Sequence, residues 1–202
     1  MFFVSDALLD QILTDDIPYG DATTALLGIE KVPGIVRCRP KAETTIAGVA
    51  LAERLFTRVG LQTTCFHEEG DTVDAGTVIL EGRGPAGAIH AVYKTAQNIL
   101  EYASGIATRT HQMVQEAKAG NAACRVAVTR KHFPGTKTLS LYAAMAGGAV
   151  VHRMGLSESV LVFDQHRVFI PDFEKRLAEV KKADPERKIA VEAADIREGL
   201  SF

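Results

Sequence analysis

Between Glu116 and Glu158 the chain carries no aspartate or glutamate. That interval holds Lys118, Arg125, Arg130, Lys131, Lys137 and Arg153, with His132 and His152 among them. Most charge runs are solvated basic faces. Here several of the cations stand directly after short apolar runs instead of being spread along a helix surface. VAV precedes Thr129, Arg130 and Lys131, and AVV precedes His152 and Arg153. VLVF precedes Asp164, Gln165 and His166, and IAV precedes Glu192. Cations gathered this way suit a multiply charged anion. Preorganised cations neutralise such an anion's charge, and a carboxylate, Glu192, stands at the last of these strand ends. No serine or cysteine nucleophile constellation accompanies them, since Cys124 has no carboxylate near it in sequence.

Residues placed this way need strands that end together. Val- and Ile-rich runs alternating with helical stretches read as buried parallel strands. In parallel α/β folds the carboxyl ends of the strands line the ligand site. The pattern predicts strands at Arg125–Thr129, Ala149–Val151, Ser159–Phe163 and Lys188–Val191, with helices at Thr138–Ala146 and Asp172–Lys182 and another starting near Asp195. That makes about four βα units, against about eight in a closed barrel. The last strand would therefore expose an edge for a partner to cover. Before them, Ala88–Ala119 reads as one helical region, expected to break or kink at Ser104-Gly105, with Lys94, Asn98 and Arg109 on its surface.

The first part of the chain is of a different kind. Ser5–Leu13 predicts a short helix capped by Ser5, and Pro18 and Gly20 mark a turn. Asp15 and Asp16 read as helix-end acids before they read as metal ligands. Gly34–Arg39, Leu61–His67 and Thr77–Leu80 predict strands around a helix, Val49–Val59, closed by Gly60. The fold expected is α/β: an N-terminal α+β sandwich over 1–84, then a long connecting helix and an incomplete parallel α/β barrel over 85–202. At that boundary Gly82-Arg83-Gly84-Pro85-Ala86-Gly87 matches the G-x-G-x-x-G dinucleotide fingerprint. We read it as a turn that starts the long helix. That helix is too long for a compact βαβ unit, no acid follows the next strand, and Pro85 removes a backbone donor.

Composition narrows the classes further. A 47% apolar and 24% charged chain with pI near 6.3 has no overall electrostatic footprint for nucleic acid. No run reaches the ~20 apolar residues of a membrane span, and the N-terminus lacks the basic region of a secretory signal. Cys38, Cys65 and Cys124 are odd in number and form no C-x-x-C pair, so neither a disulfide framework nor a zinc site is expected. A reducing cytoplasm is the expected location.

The stretch TRKHFPGTKTLSLYAAMAGGAVVHRMGLSESVLVFDQH resembles the core of quinolinate phosphoribosyltransferases (nicotinate-nucleotide pyrophosphorylases, carboxylating). The resemblance extends to DDIPYGDATT, EEGDTVDAGTVILEGRGPA, NILEYASGIAT and KIAVEAAD, and is nearest to the branch found in molybdenum-transport operons. It implies a sandwich domain joined to an α/β barrel, assembled as a dimer or higher. It also implies a site for 5-phosphoribosyl 1-pyrophosphate with Mg²⁺ and an aromatic acid, and no organic cofactor. Carried over by position, Thr129, Arg130, Lys131, His152 and Arg153 would line the anion pocket, with Lys131 and Glu192 catalytic. Lys94 stands where the family places an arginine reaching a neighbouring subunit. Phe163 replaces a family lysine, which removes one cation, and Gln165 replaces an asparagine. The family's catalytic aspartate on the next strand, and its later phosphate loops, have no counterpart in these residues. A phosphoribosyl transfer to a small heteroaromatic acid is thus one expectation. A non-catalytic protein holding an oxyanion such as molybdate, or a nucleotide, is the other.

Overall fold

A computed structural model of the chain describes residues 3–200. It divides into two compact units, Met1–Val151 and His152–Phe202.

The first unit is built on an antiparallel sheet whose middle strand is β5 (Leu80–Pro85), flanked by β1 (Pro33–Cys38) and β3 (Gln62–Cys65). The glycine-rich GRGP stretch, expected as a turn, is therefore the central strand. Its glycines are needed because side chains press onto its backbone. A Cβ at Gly82 would stand 2.7 Å from Phe56, and one at Gly84 2.6 Å from Leu61. Glycine in a strand often marks such a close approach. The strand expected at Thr77–Leu80 is displaced accordingly: the register with β1 and β3 starts at Leu80, next to Ile79, which donates to the Cys38 carbonyl and accepts from the Phe66 amide. A two-stranded ladder of β2 (Thr44–Thr45) and β4 (Thr72–Val73) completes the strands of this part.

Helix α3 (Val49–Arg58) lays Val49, Ala52, Leu55 and Phe56 into the core beside Leu80 and Leu9. Leu9 comes from α1 (Asp6–Asp16), whose N-cap Ser5 accepts from the Leu8 amide, as expected. A helix not foreseen, α2 (Ala22–Leu26), follows the turn. Asp21 caps it, accepting from the Thr23 and Thr24 amides and the Thr24 hydroxyl. Thr24 Oγ1 in turn lies 2.7 Å from His90 Nδ1. With its one proton given to Asp21, the hydroxyl accepts from His90, which ties the segment to the long helix.

Glu81 on β5 is buried between Arg37 at 2.6 Å and Arg83 at 2.7 Å. The hydrogen bond from Arg37, then that from Arg83, holds its carboxyl below the usual range against the opposing cost of burial. A lowered folded-state pKa contributes stability above the unfolded value, and that contribution is lost as pH falls through the folded value. Glu81→Gln is therefore expected to melt below the wild type at pH 7. The gap should close below about pH 4.3, the ordinary glutamate value. Melting curves from pH 7 to 3 test this, and a gap that does not narrow as the pH falls below about 4.3 would refute the linkage.

Helix α4 (Ala86–Gly120) starts directly after Pro85 and runs for 35 residues without interruption. The helix does not break at Ser104-Gly105, where a break or kink was expected. Ser104 does not compete for its own helix's backbone. Its hydroxyl hydrogen-bonds the amide and carbonyl of Ala47, both at 3.1 Å, pinning α4 to the loop before α3. Gly105 is exposed, and a Cβ there would meet no atom within 4 Å. A mid-helix glycine costs about 1 kcal/mol relative to alanine. Gly105→Ala should thus raise the melting temperature by about 2–4 °C, and a fall on calorimetry would show that the site is not free.

Helix α5 (Lys137–Ala146) packs on α4 through Ala143, against Ala103 and Ala107. Around it β6 (Ala127–Val128) and β7 (Val150–Val151) pair in parallel, Ala127 with Val150 and Val128 with Val151. Both fall inside their predicted runs.

The second unit holds a parallel pair, β8 (Val160–Val162) and β9 (Ile189–Val191). It also contains α6 (Asp164–Arg167), α7 (Phe173–Ala183) and α8 (Ile196–Gly199). Asp172 caps α7 and Asp195 caps α8. The single-turn α6 was not foreseen. Among the described residues β9 pairs only with β8, so its far edge is open as expected.

Candidate active site

In the first unit β6 delivers Thr129, Arg130 and Lys131, and the following loop adds His132 and Phe133. Thr129 and Lys131 line a cleft of about 620 Å³ with His132, Phe133, Tyr102 and Arg109. Its walls are the β6 exit, α4 and α5. Arg130 is exposed but is not on that lining. Lys94 lies on α4 outside this cleft, exposed, donating to Gln97 Oε1 at 3.3 Å. A second cleft of about 560 Å³ takes in Asp15, Asp16, Thr95 and Asn98. There Asp16, the last residue of α1, accepts from the Thr95 hydroxyl of α4 at 3.1 Å, a contact between the two helices.

Arg109 is the residue that sequence reasoning set aside as helix surface. It carries a cation into the cleft that holds Lys131. Nothing in its spacing from Thr129–Lys131 could have revealed this, because only the return of β6 alongside α4 brings them together.

In the second unit the chain opens with His152 and Arg153. Arg153 is buried, at 8% exposure, and its Nη1 donates to the Ser159 carbonyl at 3.4 Å. At the far end of β8 stands Phe163, and Glu192 follows β9. The Glu192 amide donates to the Val162 carbonyl at 2.8 Å, so the ladder runs to the position where both strands end. Val162 pairs with Val191, which makes Phe163 and Glu192 register neighbours. The Phe163 ring meets His166 edge-on at 4.1 Å between centroids, and its amide donates to His166 Nδ1 at 3.3 Å. A ring beside a single exposed carboxylate cannot cage a metal alone. Among the described residues no group of three or more His, Cys, Asp or Glu could hold one. One carboxylate does fit Mg²⁺ that keeps water and is held chiefly by substrate phosphates.

Thiol chemistry has no support. Burial pushes the Cys38 thiol up to about 11. Burial, with Glu53 beside it, does the same to Cys65, so neither is a thiolate at neutral pH. Among the described residues no helix is long and apolar enough to cross a membrane.

An N-terminal sheet unit with a long helix, followed by parallel strand–helix segments, defines the chain as a mixed α/β protein. Comparison with known proteins narrows it. The "Quinolinate phosphoribosyl transferase, N-terminal domain" model matches residues 21–104 and the corresponding C-terminal domain model residues 106–199. The chain belongs to the quinolinate phosphoribosyl transferase family. It is 39% identical to the "Putative pyrophosphorylase ModD" of Rhodobacter capsulatus, over 100% of this chain and 78% of that protein. It is 32% identical to the "Probable nicotinate-nucleotide pyrophosphorylase (carboxylating)" of Methanocaldococcus jannaschii, over 95% of this chain and 67% of the other. The crystal structure of NadC from Streptococcus pyogenes superposes with a TM-score of 0.89 at 25% identity, covering 97% of this chain and 70% of that one.

Proposed function

We propose that the chain provides the phosphoribosyl-transfer machinery of a pyrophosphorylase. In this reaction the bond from C1 of the ribose to the diphosphate oxygen of 5-phosphoribosyl 1-pyrophosphate breaks, and the electron pair leaves with diphosphate. A ring nitrogen of a small heteroaromatic acid forms the new bond to C1. The observation that carries this is the placement of Thr129–Lys131, His152–Arg153 and Glu192, each directly after a parallel strand.

Arg130 and Lys131 bind phosphate oxygens, and Lys131 neutralises the departing diphosphate. His152 and Arg153 bind the remaining anionic groups of the substrates. Glu192 would face the cationic sugar carbon and, with Mg²⁺ bound, would hold it through water. Mg²⁺, when bound with the diphosphate, supplies Lewis-acid neutralisation of its charge. Lys94, exposed on α4, reaches the site of a neighbouring subunit in a homodimer or larger assembly. The acceptor is quinolinate-like, but with Phe163 at a strand end it carries fewer negative groups than a site with a lysine there would reward.

The same ring supports a second reading, a non-catalytic scaffold that holds an oxyanion or nucleotide in connection with molybdate transport. Titration calorimetry separates the two. Micromolar binding of 5-phosphoribosyl 1-pyrophosphate with Mg²⁺, weakened at least tenfold in an Arg130→Ala/Arg153→Ala protein, is the expected result. A folded protein that ignores this ligand but binds molybdate would overturn the transferase reading.

A further inference from the structure

A groove of about 650 Å³ lies in the first unit between the end of β1 and α4. Its floor is apolar, formed by Ile46, Ile79 and Leu100, all buried. Its rim is cationic. Arg39 and Lys41 stand on the β1 side and Arg109 on the helix side. Arg39 has one long hydrogen bond, to the Gly76 carbonyl at 3.4 Å, and among the described residues Lys41 and Arg109 have no partner. Of the other charged groups on the lining, Arg37 is engaged by Glu81, and Glu43 and Glu101 are the opposing charges, Glu101 accepting only from the neutral Gln97 amide, so the three cations outnumber them.

A separate observation points to the same place. Glu101, Gly105 and Arg109 line both this groove and the cleft that holds Lys131, so the two meet across α4 at Gly105. A glycine at mid-helix is unfavourable, and no internal neighbour requires this one, since a Cβ would have open space around it. What a missing side chain leaves here is a low pass over the helix backbone, flanked by Arg109.

We propose that this groove binds a small organic anion with an apolar body, a carboxylate, sulfonate or phosphate on a ring or short chain. The body rests on Ile46, Ile79 and Leu100 and crosses α4 over Gly105, and the charge is held by Arg109 and Lys41. Volume, apolar lining and a few convergent polar groups are those of a ligand pocket. The proposal does not rest on the transferase reading.

The probe is 8-anilinonaphthalene-1-sulfonate, an apolar ring system with one negative charge, titrated by fluorescence. The wild type is expected to bind it saturably at one site. Gly105→Gln, which fills the pass, and Arg109→Ala, which removes the charge, should each weaken binding at least tenfold. Gly105→Gln should melt no lower than the wild type, so its loss of binding cannot be assigned to unfolding. The control Arg176→Ala, on α7, should bind as the wild type does. Unchanged binding in both groove variants would overturn the proposal. So would a loss accompanied by a change of oligomeric state on sedimentation, which would make a second copy of the chain the occupant.

Discussion

Gly147→Ala is expected to lower the melting temperature by about 6–12 °C, the effect of about 3 kcal/mol in a chain of this size. The reason is proximity alone. Gly147 has an ordinary φ of -73, so a side chain would not strain its own backbone. Its Cβ would stand 2.5 Å from the Ala107 carbonyl oxygen, 2.7 Å from Thr110 Cβ and 3.1 Å from the His111 amide nitrogen. Two of these are backbone atoms of α4, which cannot rotate away. Either α4 and α5 separate, opening the Ala103–Ala107–Ala143 contact, or the turn into β7 moves. Native stability is only about 5–15 kcal/mol, so this is a large share. Gly105→Ala, on α4, is expected to move stability the other way. Calorimetry of the two variants side by side tests the packing directly, and a Gly147→Ala protein melting within a degree of the wild type would show that the helices do not meet as described.

The second large effect concerns charge. If the chain transfers phosphoribosyl groups, Arg153→Ala should reduce kcat by about 10²–10³, the usual cost of removing one preorganised electrostatic contact. Arg130→Ala should cost less, because Arg153 is buried and Arg130 is exposed, and a charge shielded from water acts more strongly. Arg153→Lys keeps the charge but loses the planar fork that grips two oxygens, so partial recovery is expected. Steady-state rates for the three variants decide the order. Equal losses at Arg130 and Arg153 would show that burial does not set their roles.

The parallel strands were legible as unbroken apolar runs: VAV, AVV, VLV and IAV each contain an observed strand, although their residues are half-buried or exposed and not enclosed on both faces as the runs suggest. The exits of those strands, and hence Thr129–Lys131, His152–Arg153 and Glu192, could be read from the same runs. The central strand of the first sheet was not. Gly82 and Gly84 look like a turn in one dimension, and only Phe56 and Leu61 pressing on them explain their absence of side chains. The unbroken α4 was missed for a related reason. Ser104 weakens a helix when its hydroxyl turns inward on the backbone, and here Ala47 holds it outward. Arg109 was hidden because its role depends on a tertiary return, which no local spacing encodes.

The junction of β5 and α4 has no connecting loop, since the strand ends at Pro85 and the helix begins at Ala86. A chain without slack tolerates replacement there far better than insertion. One added residue would turn every side chain of α4 by about 100° and advance the helix by about 1.5 Å. Ser104 would lose Ala47, Ala103 and Ala107 would leave α5, and Lys94 and Arg109 would face new directions together. Length at this point is therefore fixed to the residue, and viable length variation among related chains belongs in the exposed loops, such as the one around Pro134-Gly135, where no such rotation is transmitted.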